Sequence, residues 1–522
     1  MTRNRPFVLA LLDGWGVRAE RENNALALAR TPIFDRLAAT GARTLLNAAG
    51  EAVGLAPGAA GHAQIGHMTI AAGRTVSLPG AQVQAALSAS NTAPIANNAI
   101  FKALVHRLRS VGGAIHLVGL VSPAGIHGHQ HYMAVLAALL SHENIQVWIH
   151  ALMDGEDTPP RSGLTHFAEF LDDIAGATHV NIATVSGRSF AMSRTGDWAA
   201  IERTYRAIAD AEGPRIEHGP SYVNDGYRDG LTDAGLPPAI LPRYRGIRQD
   251  DALLFVNLRP DQIHRLAESL LTPDFQTFAR PQSLGLSAAC SLTPLAGDLG
   301  QEISALFPAP SPSPTLSESI AAAGLSQLQI AETANEAHLA LFHRAGRTQT
   351  LPGEEVWLAE TPVAALDKRP DMATLDAAAY AVKAIKKASH DVIVINFSNA
   401  AYAGHTGNLA AARKAAESVD KCLGKLTAMI EKQRGTLLVA GVYGNAERMA
   451  DETGAAWPAN TAAHTPLLLI DTAKNSPPQT LRPGTLADLA PTMLNLLRLP
   501  IPALMTGGSL LVPLDQDARA SA

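Results

Sequence analysis

Cysteine is nearly absent. Cys290 and Cys422 are the two cysteines in 522 residues, too few for a disulfide framework or a thiolate metal site, so both are expected to pack as buried or neutral side chains. Charge of one sign is also lacking. The formal net charge is −5, which steers the chain toward neither nucleic acid nor an anionic membrane. Long apolar runs are missing too, and no stretch approaches the roughly 18 residues of a membrane helix. The basic opening leads into an apolar run, Phe7 to Leu12, that is too short for a signal-peptide core and stops at Asp13. A first β-strand and a cytoplasmic protein are the expectations, with a frayed polar tail after Leu514. What remains, 47% apolar and 17% charged residues, is ordinary globular composition, long enough for two or more domains.

Short β-rich runs alternate with longer helical patterns. FVLALL, AIHLVGLV, QVWIHAL, ALLFVNL, DVIVINF and TLLVAGV read as buried strands. YMAVLAALLSH, WAAIERTYRAIADA, MATLDAAAYAVKAIKKA and NLAAARKAAESVDKCLGKLTAMIEKQ read as helices. Near-continuous apolar strands between helices predict parallel sheets covered on both faces, an α/β fold. In such sheets ligands bind beyond the carboxyl ends of the strands. Two stretches, SLPGAQVQ from Ser77 and FPAPSPSPTLSES from Phe307, have linker composition. They predict a domain of residues 81–308 inserted into another made of residues 1–78 and 312–522.

The strand ends carry few reactive groups. Asp13 precedes a glycine after the first strand, a position that suits a metal or a phosphate, or a simple turn. The glycine-rich segment Gly54–Arg74 holds His62 and His67 but no Ser, Thr or Cys before Thr69; its glycines suit close approach of backbone to a ligand. His405 lies in a loop after DVIVINF, and His464 precedes the apolar run TPLLLI. Asp13, His405 and His464 are of types that suit a divalent transition metal.

The order of these motifs resembles the cofactor-independent phosphoglycerate mutases of the alkaline phosphatase superfamily. The resemblance runs from about Phe7 to about Leu510 and rests on DGWG, RENNALALARTP, GEAVGL, IHGHQHY, SGRSFAM, NLRPD, IAETANEAH, PGEEVW, GHTGN and YGNAERM. It implies a three-layer alkaline-phosphatase-like domain with a smaller α/β domain inserted. In that family the first domain carries two Mn²⁺ or Mg²⁺ ions and a nucleophilic serine, and the inserted domain grips phosphoglycerate. By resemblance Asp13, His405 and His464 match metal ligands. His127, Asp157, Arg188, Arg194 and Arg259 match substrate contacts, for which arginine forks are apt.

The departures from the family pattern are concentrated at the chemistry. Ala63 stands at the nucleophile position, Ala401, Val442 and Tyr443 at metal-ligand positions, Asn335 at a lysine, and Glu156 and Gln262 at arginines. Phosphoryl transfer of the family's kind needs a nucleophile and positive charge. These losses predict a catalytically inactive homologue with a binding, regulatory or structural role. They also predict no cofactor, or at most one weakly bound Mn or Mg. A protein partner, an active paralogue or a phosphorylated carboxylic acid would then be its partner, and neither nucleic acid nor membrane. The alternative is an active enzyme of the family, interconverting 3- and 2-phosphoglycerate, or a repurposed phosphotransfer enzyme with a rebuilt site using His62, His67, Asp13, His405 and His464.

Overall fold

The computed structural model describes residues 6–77, 79–87, 92–193, 197–280, 283–295, 298–308, 311–336, 343–344, 349–361, 368–472 and 479–512. In chain order its strands are β1 (Phe7–Leu12), β2 (Ala42–Asn47), β3 (Ile115–Val121), β4 (Val147–Met153), β5 (Val180–Gly187), β6 (Ala239–Ile240), β7 (Ala252–Phe255), β8 (Ala288–Ser291), β9 (Ser304–Ala305), β10 (Gln327–Glu332), β11 (Glu354–Ala359), β12 (Val392–Phe397), β13 (Thr436–Gly441), β14 (Thr465–Asp471) and β15 (Gly484–Thr485). They form two sheets in two compact units, Met1–Leu78 with Pro310–Ala522, and Pro79–Ala309.

In the first unit eight strands lie in the order β11-β10-β12-β1-β13-β14-β2-β15. Successive residues of a strand point to opposite faces, and the packing follows that period. Phe7, Leu9 and Leu11 join one core cluster with Val392, Val394 and Leu438. Val8, Ala10 and Leu12 join another with Ile393, Ile395 and Leu437. The helices Thr374–Lys387 and Leu409–Gln433 cover the second face. Each fully buried aliphatic side chain here contributes roughly 1.5–3 kcal/mol. Both faces are therefore covered, as the unbroken apolar strands require.

Parallel pairing does not extend to the whole sheet. β14 runs antiparallel to β13 and to β2. A parallel neighbour needs a crossover back to the starting edge. Residues 442–464 make none: they stay at the carboxyl edge, with Gly444 bridged to Thr461, and the chain re-enters the sheet from there. His464, at the amino end of β14, thus reaches the edge that other strands reach with their carboxyl ends.

The second unit has seven strands in the order β6-β5-β4-β3-β7-β8-β9, parallel except for β6. β3 alternates in the same way, with Ile115, Leu117 and Val121 in one cluster and Val118 and Leu120 in the other. From β3 the chain moves one way to β4 and β5, then returns to place β7 on the other side. The crevice beyond β3 and β7 is therefore a topological switch point, where α/β sheets bind ligands. Cys290 and Cys422 are both buried, and burial pushes their thiols up to about 11 and about 12. Among the described residues no helix is long and apolar enough to cross a membrane.

Candidate active site

Each unit gathers side chains at the carboxyl edge of its sheet. In the first, Asp13 follows β1, Ser398 follows β12 and Val442 follows β13, and the strand register sets all three level. Asp13 is 1% exposed. Its Oδ1 accepts from Asn396 Nδ2 at 3.1 Å and pairs with His67 Nε2 at 3.1 Å. Asp13 Oδ2 is buried with no hydrogen bond among the described residues.

His67 comes from a helix, Ala63–Ala72, in the segment whose glycines pointed to a ligand-cradling loop. His62 caps its start and Gly73, at φ 58°, ends it. The glycines serve packing instead. A Cβ on Gly66 would sit 2.5 Å from Val442 Cγ1, and one on Gly61 would sit 2.2 Å from Ala48 O. Tyr443 is buried close by, and its hydroxyl is pushed well up by burial, then by the negative charge of Asp13. Tyr402 donates to Asn335 Oδ1 at 3.4 Å. Glu332, closing β10, is pushed up to about 7 by burial, against opposing hydrogen bonds from Ala373 and Thr374.

The other two residues matched to metal ligands stand apart from this buried pair. His405 is exposed and donates through Nδ1 to Pro458 O at 2.7 Å. His464 is exposed, and its carbonyl accepts from Val17 N at 2.8 Å. Among the described residues no group of three or more His, Cys, Asp or Glu could hold a metal ion. The unpartnered Asp13 Oδ2 is a donor a cation could take, yet with His67 it makes only two ligands. A metal shell of these types needs about four. The described side chains do not fit a metal pair, and no chemical step can be derived through one.

The second unit's edge is charged. Arg188, after β5, has no exposed surface. Its Nη1 donates to Asp154 Oδ1 at 2.6 Å and to Asp157 Oδ2 at 2.8 Å, and its Nη2 donates to Gln262 Oε1 at 2.7 Å. Glu156 lies 3.8 Å from its Nε. Asp154 also accepts from Ser122 Oγ at 2.6 Å. His127 Nδ1 pairs with Asp157 Oδ2 at 2.7 Å and lies 3.2 Å from Arg188 Nη2; the two contacts compete for Nδ1, and the shorter one, to a carboxylate that only accepts, places the proton there. Burial raises the Asp157 carboxyl, but the bonds from His127 and Arg188 outweigh it and hold the group below its ordinary range. Arg188 is held above its usual value by Asp154 and Asp157 despite burial. Leu258 N donates to His127 O at 2.8 Å, tying the loop after β3 to the loop after β7, which carries the exposed Arg259.

His127, Asp157 and Arg188 thus meet in one cluster. Arg188 is committed to the chain's own carboxylates rather than held out for a ligand. Arg194 lies outside the described residues. The sequence reading passed over Asp154, which anchors the cluster; its position directly after β4 was the available signal.

Residues 5–501 match the Metalloenzyme superfamily. The 2,3-bisphosphoglycerate-independent phosphoglycerate mutase of Rhodopseudomonas palustris is 38% identical over 98% of this chain and 100% of that protein. The protein of that name from Gluconobacter oxydans is 37% identical, over 97% of this chain and 98% of its own. A Leishmania mexicana phosphoglycerate mutase structure determined at low cobalt concentration superimposes with a TM-score of 0.71 at 24% identity, covering 98% of both chains, and shows the shared fold. These likenesses correct two expectations. Near-full-length relatives carrying the mutase's name overturn the inactive homologue. The metalloenzyme match implies a metal cofactor and overturns the expectation of none, although the described donors assemble no shell for it.

Proposed function

We propose, because the chain belongs to the 2,3-bisphosphoglycerate-independent phosphoglycerate mutase family within the Metalloenzyme superfamily, that it interconverts 3- and 2-phosphoglycerate. The observation that carries this reading is the buried cluster of His127, Asp154, Asp157 and Arg188 at the switch point of the second sheet. Buried ionic groups cost desolvation unless fully partnered, and a network of this kind orients its neighbours. With its proton on Nδ1 for Asp157, His127 has Nε2 to offer a substrate oxygen. Arg259, exposed at the start of the helix Pro260–Leu271, supplies a planar cation for a phosphate or carboxylate. Arg188 positions Asp157 and His127 rather than touching substrate.

Position 63 has no oxygen to accept a phosphoryl group. A covalent route would use another side chain, for which we take the imidazoles of that segment, His62 and His67.

The test is turnover by protein purified from a host lacking other mutases, coupled to pyruvate formation, with and without added Mn²⁺ or Co²⁺. Turnover on the order of 1–10³ s⁻¹ is expected, with Arg259→Ala raising KM about tenfold or more. A trapped phosphoryl adduct should be acid-labile and base-stable, as on nitrogen. Absence of turnover under every metal condition would sink the proposal.

A further inference from the structure

The opposite edge of the second unit's sheet carries a feature that the mutase reading does not use. Where β3, β4 and β7 begin, a cavity of about 630 Å³ opens, within the range of small-molecule sites. One wall is the segment Pro242-Arg243-Tyr244-Arg245-Gly246-Ile247-Arg248, whose three arginines are exposed and line the cavity. Arg243 reaches Asn181 Oδ1 only at 3.5 Å, whereas Arg245 donates to the carbonyls of Pro242 and Tyr244. No hydrogen bond from the Arg248 guanidinium occurs among the described residues.

The turn behind them is rigidly built. Asp251 accepts from Ala114 N and Arg248 N, both at 2.8 Å, and pairs with His116 Nε2 at 3.1 Å. That acid is thus spent inside the fold; of the other two acids in the lining, Glu143 is paired with Arg109 at 2.9 Å, and Asp250 stands against three arginines. Asp250 holds a left-handed backbone at φ 69°, and a Cβ on Gly113 would strike Asp250 O at 2.0 Å, so the wall is packed against its neighbours.

Beside that wall the lining is aromatic. Trp148, half-buried, lines the cavity and packs edge-on against Tyr244 with centroids 5.3 Å apart. Two helices, Ala99–Val111 and Gln130–His142, end here, at Gly112 and Glu143. Helix carboxyl ends present carbonyl oxygens and partial negative charge. They disfavour a phosphate; the carbonyls of Leu108, Leu140 and Ser141 already accept from the backbone N–H groups of Gly112, Ile145 and Asn144, and each keeps a second lone pair for an amine.

From this lining we propose that the cavity binds an amine-bearing nucleoside diphosphate. Its phosphates lie on Arg243 and Arg248, and its base lies on the side of Trp148 and the helix ends. Each half of such a ligand meets the chemistry that suits it: guanidinium forks for phosphate, an indole for an aromatic ring, and carbonyls for the exocyclic amine.

Titration calorimetry of the full chain with ADP, pyrophosphate and adenosine tests this. ADP is expected to bind one per chain, at least about tenfold tighter than either fragment. Combined Arg243→Ala and Arg248→Ala should weaken ADP about tenfold or more. Trp148→Leu should weaken ADP while leaving pyrophosphate unchanged. The arginines are exposed, so the double variant should keep the parent melting temperature. Absence of ADP binding, ADP affinity indifferent to the arginines, or pyrophosphate binding as tightly as ADP would each overturn the proposal.

Discussion

The two sheet edges follow one topological rule and fill it differently. In the first unit, Ser398 and Val442 stand level with Asp13, Ala401 and Tyr443 are buried further along the same loops, and Gly61 and Gly66 let the chain close tightly over Tyr443 and Val442. In the second, the equivalent edge carries Asp154, Asp157, Arg188 and His127 in mutual hydrogen bonds. One edge is held by packing with a single buried acid–imidazole pair. The other is held by charge that cannot be removed piecemeal. The contrast teaches that a strand-end position is only a location: what its side chain does depends on which loops arrive beside it.

The contrast can be broken by removing its ionic half. Arg188→Met would leave two buried carboxylates without their cation, and should lower unfolding free energy by about 3–5 kcal/mol, read from urea denaturation. A loss under about 1 kcal/mol would mean the cluster is no more than a surface network.

Acid sensitivity should then sharpen it, because the two units respond with opposite sign. Glu332 of the first unit is raised to about 7 in the fold. Its contribution is fully present below the unfolded carboxyl value of about 4.3 and is lost as pH rises toward 7, on the order of 3–4 kcal/mol. Asp157 of the second is depressed, so its contribution is present above its unfolded value and lost as pH falls through the folded one. Glu332→Gln should flatten the stability profile between about pH 4.5 and 7, followed by melting temperature against pH. An unchanged slope would contradict the burial assigned to Glu332.

A packing substitution in the first unit should cost less. Gly66→Ala drives a methyl against Val442, for about 1–3 kcal/mol, and Val442→Ala in the same chain should recover part of it. Additive costs would show that the two do not touch. The smallest effect is expected at Glu156, whose contact with Arg188 is long and whose side chain is 34% exposed. Glu156→Gln should stay within about 1 kcal/mol of the parent in the same urea titration.

Much of this architecture was legible in the sequence. The six strands read from apolar runs occur, FVLALL at both ends and the others with ends shifted by three residues at most, as do the four long helices. Composition and period report burial, and burial decides those elements. The direction of β14 was not legible, because TPLLLI reads the same whichever way the strand runs. The helix Ala63–Ala72 was hidden by glycines that serve contacts with Ala48 and Val442, residues distant in the chain. Asp13, His127, Asp157 and Arg188 were all singled out from strand ends or motifs. Their partners were not, since the bond of Asp13 to His67 and of Arg188 to Asp154 depends on loops meeting in space. Arg188 shows the limit well. Its motif pointed to an open anion contact, and only the positions of Asp154, Asp157 and Gln262 reveal that its two Nη groups are already engaged, with Nε alone left unbonded among the described residues.

The order of strands in the first sheet has a consequence during synthesis. β1 pairs with β12 and β13, which the ribosome makes about 380 and about 430 residues later. At roughly 5–20 residues per second, the apolar ribbon FVLALL waits on the order of 20–90 s for its neighbours. The unit Pro79–Ala309 holds all seven of its strands in one continuous stretch and can complete its sheet within that interval. The nascent chain therefore carries a finished module beside an unsatisfied hydrophobic strand, and β1 is the segment a chaperone would need to shield until β13 emerges.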